Sequence, residues 1–198
     1  MGLTIMDICP KIRRGRLGAA TLGLLLAAWP YGPAAGSAHG ASLEYQLKAA
    51  FLLNFTRYVE WPRKSVGTGD LNLCVVGPDV FGTTLDELAA NKVVNGRRLA
   101  IRKNVPAQEA ANCDVVYLSL TETSQIRPAL KTLASSSALT VGEEAGFVRM
   151  GGMIAFSPQD GKLRFYINAG AAEHAGITIS SRLMVLAKNL HDEGERHR

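Results

Sequence analysis

The stretch "LNLCVVGPDVFGTTLDELAANK", residues 71–92, decides the fold class. Its first part, Leu71 to Gly77, is a short apolar run rich in β-branched residues and stopped by Gly-Pro, which reads as a buried strand. Its second part carries Phe81, Leu85, Leu88 and Ala89 at helical spacing. The "GPD" between them, Gly77 to Asp79, reads as a turn and helix start with Asp79 as N-cap. A strand followed at once by a helix is the opening of an α/β unit.

Working towards the C-terminus, "RRLAIRKN" alternates and reads as a strand with Leu99 and Ile101 inward. "CDVVYLSL", Cys113 to Leu120, is a second buried strand. Ser124 to Leu133 has helical spacing, and Ala138 to Val141 is a short strand closed by glycine. "MIAFS" and "LRFYIN", separated by "PQDGK", form a hairpin about Asp160-Gly161. "AGAAEHAG" is a short helix, and Ile177 to Leu190 a longer one capped by Ser180 or Ser181.

Towards the N-terminus, "SLEYQLKAAFLLNFTRYVEWP" predicts a helix from Leu43 to Val59, with Ser42 as N-cap and Pro62 ending it. Leu43, Leu47, Ala50, Phe51, Phe55 and Tyr58 fall on one stripe, expected to pack on the sheet. Asn54 lies inside that stripe and needs hydrogen-bond partners there. Tyr45, Leu52 and Val59 fall on a second, nearly opposite stripe. With Tyr58 and Trp61 they make either a second layer of core or a face for a protein partner. The element order predicts a single α/β domain with a central mixed sheet flanked by helices, over residues 39–191.

Residues 1–38 are read as a cleaved signal peptide. Lys11, Arg13, Arg14 and Arg16 precede the apolar run Leu17 to Trp29, followed by small residues. The run is shorter than the roughly 20 residues that span a bilayer. The cut is placed after Ala38, with Gly36 and Gly40 as neighbouring alternatives. The leader holds four of the 22 basic and one of the 17 acidic residues, so the net charge falls from +5 to 18 minus 16, or +2. The basic balance is thus an export feature, and no basic patch with interleaved aromatics points to nucleic acid. Residues 192–198 form a charged tail. Cys74 and Cys113 remain in an exported chain, where an even pair suggests a disulfide, two unpaired core thiols being the alternative.

Catalytic constellations are missing from the pattern. Only His174 of the four histidines falls within the fold, no G-x-S-x-G elbow exists, and the Ser180-Ser181 pair reads as a helix cap. The Cys and His residues lack metal-ligand spacing, and the adjacent acids Glu143-Glu144 and Asp86-Glu87 read as a solvated turn or helix face. The glycines after the first strand match no phosphate loop, and Pro78 and Asp79 disfavour an anion there. No cofactor, metal or catalytic role is expected. Gly151-Gly152 marks either a tight turn or close approach of another backbone. Arg164, Asn168 and Arg182, with Lys188, are either the lining of a ligand pocket at the sheet end or a turn asparagine with exposed cations.

The segments "EYQLKAAFLLNFTRYVEWP", "LNLCVVGPDVFG", "NGRRLAIR", "CDVVYLS", "LTVGE", "FVRMGGMIAF" and "LRFYINAGAAEHAGITISSRLMVLA" resemble, in order and spacing, the YfiR family of periplasmic proteins. The resemblance runs from Leu43 to Ala187. It implies a non-catalytic α/β protein, often a homodimer, that represses the sensor portion of an inner-membrane diguanylate cyclase, lowering cyclic di-GMP and biofilm formation. It also implies sequestration by an outer-membrane lipoprotein, and it matches Cys74 and Cys113 to a disulfide of the family. A second family disulfide would fall in "VGEEAGFVRMGG", where this chain has no cysteine. A periplasmic small-molecule sensor is the alternative reading.

Overall fold

The computed structural model describes residues 42–62 and 69–187. The expected signal peptide, the charged tail and Lys188 lie outside them. The chain builds a seven-stranded sheet in the order β3 (Val93–Val94), β4 (Arg97–Arg102), β2 (Leu71–Val76), β5 (Val115–Leu118), β6 (Leu139–Glu143), β7 (Ile154–Gln159) and β8 (Lys162–Ile167). The five strands from β4 to β7 are parallel, and β3 and β8 close the two edges in antiparallel pairs. This is the mixed sheet expected from the sequence. β5 is buried at every residue, which is why it reads as an unbroken apolar run rather than an alternation.

Helices α2 (Thr84–Ala89), α3 (Ala107–Ala110), α4 (Thr123–Leu133) and α5 (Glu144–Arg149) lie between successive parallel strands. Covering both faces gives two separate cores. On one face α4 buries Ile126, Ala129, Leu130 and Leu133, a one-sided helical spacing, over Val116, Leu118, Ala155 and Tyr166. The Cys74–Cys113 disulfide lies in this core, joining β2 to the turn before β5, with 6.2 Å between the Cα atoms. The Asp160-Gly161 turn closes the β7–β8 hairpin between Gln159 and Lys162 as expected.

The other face is covered by α1 (Leu43–Phe55), whose Ser42 cap accepts from the Tyr45 amide. Phe55 stacks on Phe156 at 5.6 Å and meets Phe165 edge-on at 5.2 Å. Burying one such ring is worth roughly 1.5–3 kcal/mol. The expected helix differs in two ways. It stops at Phe55, because the chain turns so that β1 (Val59–Glu60) pairs antiparallel with β9 (Thr178–Ile179). Its roll also differs. Leu43 is 72% and Leu47 46% exposed, Asn54 is exposed, and Ala49, Leu52, Leu53 and Phe55 are buried. A helix apolar on every side does not encode its own roll; here it is fixed by the contact of Lys48 with Glu143.

α5 was not expected. Its Phe147 ring fills the space between Gly142 and Gly152, so that a Cβ at Gly152 would sit 2.0 Å from it. Both readings of Gly151-Gly152 hold in part: Gly151, at φ +102°, makes the turn into β7, and close approach applies at Gly152, to a side chain rather than a backbone. After α6 (Ala169–His174), α7 (Ser181–Leu186) is capped by Ser180, whose hydroxyl accepts from the Leu183 amide. Among the described residues no helix is long and apolar enough to cross a membrane.

Candidate functional site

The segment from α1 to Trp61 runs from the C-terminal ends of the parallel strands, at Glu143, to their N-terminal ends, at Asp114, and is tied by a polar contact at each. At the first, Lys48 Nζ lies 2.8 Å from Glu143 Oε2, at the end of β6, and 2.6 Å from Glu44 Oε1. The Tyr117 hydroxyl, from β5, donates to Glu143 Oε1, and the Lys48 ammonium sits 4.5 Å from the centre of the Tyr45 ring. Lys48 is fully buried, so its charge persists only because partners replace its hydration. Burial opposes its protonation, but the hydrogen bonds to Glu143 and Glu44 prevail and hold its pKa above the ordinary value. Burial first, then the charge and hydrogen bond of Glu143, pushes the Tyr117 phenol far up. Tyr45 is shifted the same way by the same two causes. Glu143 is thus no solvated turn residue, contrary to the reading of the Glu143-Glu144 pair.

This cluster edges a cavity of about 340 Å³ at the strand ends, walled by Tyr45, Pro78, Ser119, Thr121, Glu143 and Phe147 among others. Asp79 stands beside it but does not cap α2. Its carboxylate accepts from the Phe81 and Gly82 amides, tightening the turn before the helix, and pairs with Lys103 at 3.2 Å.

At the opposite edge Trp61 Nε1 donates to the Asp114 carbonyl at 3.0 Å. Asp114 is held by Arg97 through two bonds, 2.6 and 2.9 Å, and by the Asn72 amide at 2.8 Å. Arg97 also donates to the Gly69 and Asp70 carbonyls. Such a bidentate, nearly buried pair is geometrically demanding and joins β4, β2 and β5 at their starts. A cleft of about 250 Å³ is lined by Trp61 and another of about 140 Å³ by Tyr58, and the two share Glu60 and Asn95.

The residues expected to face a partner are therefore separated. Tyr45 belongs to the cavity end, packed edge-on against Phe81 at 5.8 Å. Leu52 and Val59 are buried in the domain's own core and have no surface to offer, because α1 is rolled towards Glu143 and β1 pairs with β9. Tyr58 and Trp61 are partly buried at the opposite edge, where Glu60 between them is exposed. The three expected pocket residues do not share a cavity. Arg164 and Arg182 are exposed on β8 and α7, while Asn168 caps α6, accepting from the Ala171 amide and donating to the Val148 carbonyl. None of the three lines the cavity at the strand ends or the cleft beside α7. Neither Glu143 nor the Arg97–Asp114 pair was anticipated. The available signal was Lys48 itself, set between Leu47 and Ala49, because a lysine drawn into the core needs acids beside it.

The sequence model of the YfiR/HmsC-like family matches residues 45–188. Among solved structures, that of a conserved domain protein from Vibrio cholerae O1 biovar El Tor superposes with a TM-score of 0.50 at 16% identity. The match covers 73% of this chain and 59% of the other, so the chain spans less than two thirds of that protein, and likeness at this identity speaks for the fold alone.

Proposed function

The chain belongs to the YfiR/HmsC-like family, whose members are periplasmic regulators of diguanylate cyclase activity, and on that premise we propose that it binds and represses the sensor portion of an inner-membrane diguanylate cyclase. The observation that carries this reading is the extent of the match, which takes in nearly all of the described domain. The disulfide supports residence in an oxidising compartment, reached through the signal peptide read at residues 1–38.

Repression without catalysis requires only differential affinity: the protein holds the sensor inactive to the extent that it binds that state more tightly. The surface assigned to this contact is the edge carrying Tyr58, Glu60 and Trp61. It combines a fixed indole, an exposed carboxylate and two clefts, the mixture of aromatic anchor and polar rim that interfaces use. A homodimer and sequestration by an outer-membrane lipoprotein belong to the same proposal. The exposed Leu43 and Leu47 on α1 and Val185 and Leu186 on α7 are apolar surface available to a second copy.

Deleting the gene in a host that carries such a cyclase is expected to raise cyclic di-GMP and biofilm mass, with reversal on complementation. Unchanged cyclic di-GMP after deletion contradicts the reading.

A further inference from the structure

We propose that the cavity at the C-terminal ends of β2, β5 and β6 binds a small organic cation, an amine carrying an apolar body. The first argument is topological. Counted along the chain, the parallel strands β4-β2-β5-β6-β7 stand in the order 2-1-3-4-5, so connections leave β2 and β5 in opposite directions. Open α/β sheets bind ligands in the crevice at such a reversal, outside the carboxyl ends of the strands. Here Pro78 follows β2, Ser119 follows β5 and Glu143 ends β6, and all three line the cavity. Its volume of about 340 Å³ suits a small molecule.

The chemistry of the wall then selects the ligand. Among the described lining residues Glu143 is the one ionised side chain, and no lysine, arginine or histidine accompanies it. Lys48 reaches Glu143 from the protein side and is itself fully buried, whereas the Glu143 side chain keeps 30% of its surface. A carboxylate has about four lone-pair sites, and the bonds from Lys48 and Tyr117 leave room for a donor on the cavity side. Lys48 bridges two carboxylates, Glu44 and Glu143, so the cluster carries one negative charge in excess. The first turn of α4 also reaches the wall, but Glu122 at its N-cap opposes the positive end of the helix dipole. A phosphate or carboxylate ligand would therefore find no cation. The remaining wall pairs the apolar Val80, Ile126, Phe147 and Met150 with hydroxyls of Ser119 and Thr121, matching an apolar body with a polar end.

The test is calorimetric titration of the oxidised, purified protein with 2-phenylethylamine, and with 3-phenylpropionate as the anionic counterpart. Saturable one-site binding of the amine is expected, with the carboxylate at least about ten-fold weaker. Glu143→Gln should weaken the amine by a similar factor. Because that variant also alters the Lys48 pair, Thr121→Trp provides the second arm: it fills the cavity from an exposed position while every residue of the cluster stays unsubstituted, and should abolish binding while the melting temperature is kept. Absence of saturable amine binding to the wild type, equal binding of the carboxylate, or amine binding that survives in folded Thr121→Trp overturns the proposal. These readouts involve no cyclase, so they stand or fall separately from the proposed repression.

Discussion

Lys48 and Glu143 are 95 residues apart in sequence and 2.8 Å apart in the fold, and this contact sets the roll of α1 on the sheet. Further along the same segment, Trp61 reaches the Asp114 carbonyl at the opposite edge. The segment is thus pinned at both ends by polar groups and packed between them by phenylalanines.

Removing one partner of a buried pair leaves the other uncompensated, at a cost of 3–5 kcal/mol in fully buried cases, roughly. Glu143 retains some solvent access, so Lys48→Ala is expected to destabilise by about 2–4 kcal/mol. In urea unfolding, the double variant Lys48→Met with Glu143→Gln should lose less than the sum of the single losses. Strict additivity would show that the pair is not coupled.

Alkaline pH should weaken the fold through the same cluster. The folded pKa values of Lys48, Tyr117 and Tyr45 are raised, so the native state holds protons that the unfolded chain releases near pH 10, roughly. Lys103, bonded to Asp86 and Asp79, adds in the same direction. Their stabilisation is fully present below the unfolded values and declines as pH rises above about 10, by up to about 1.4 kcal/mol per pH unit for each group. Denaturation midpoints between neutral and strongly alkaline pH check this, and Lys48→Met should flatten the decline.

Cys74 and Cys113 close a loop with a sequence separation of 39. In the chain-entropy model that closure is worth about 4 kcal/mol. Cys74→Ser is expected to lower the melting temperature in non-reducing buffer, and dithiothreitol should lower the wild type to match. An unchanged melting temperature would show that the disulfide does not support the fold.

Phe147 leaves no room for a side chain at Gly152. Gly152→Ala is therefore expected to cost about 1–3 kcal/mol through overpacking, and Phe147→Leu in the same chain should recover part of it. Gly146→Ala, where a Cβ meets nothing within 4 Å, serves as the control.

What the sequence disclosed depended on whether the deciding contact was local. β2 and β5 were legible because strands covered on both faces are continuous apolar runs, and the β7–β8 turn because Asp160-Gly161 suits a two-residue loop. The end of α1 was not legible, since it depends on Val59 pairing with Ile179. Its roll was hidden by apolar residues on every side, and Glu143, beside another acid and a glycine, looks like a turn. The pocket expected around Arg164, Asn168 and Arg182 rested on proximity to a strand end, whereas Asn168 is spent on capping α6.

The most direct measurement is the affinity of the oxidised protein for the isolated periplasmic portion of the cyclase, compared with Glu60→Lys and Tyr58→Ala. Saturable binding by the wild type is expected, weakened at least about ten-fold in both variants while both remain folded. A folded wild type that does not bind would contradict the proposed repression, and unchanged binding by both variants would contradict the surface assigned to it.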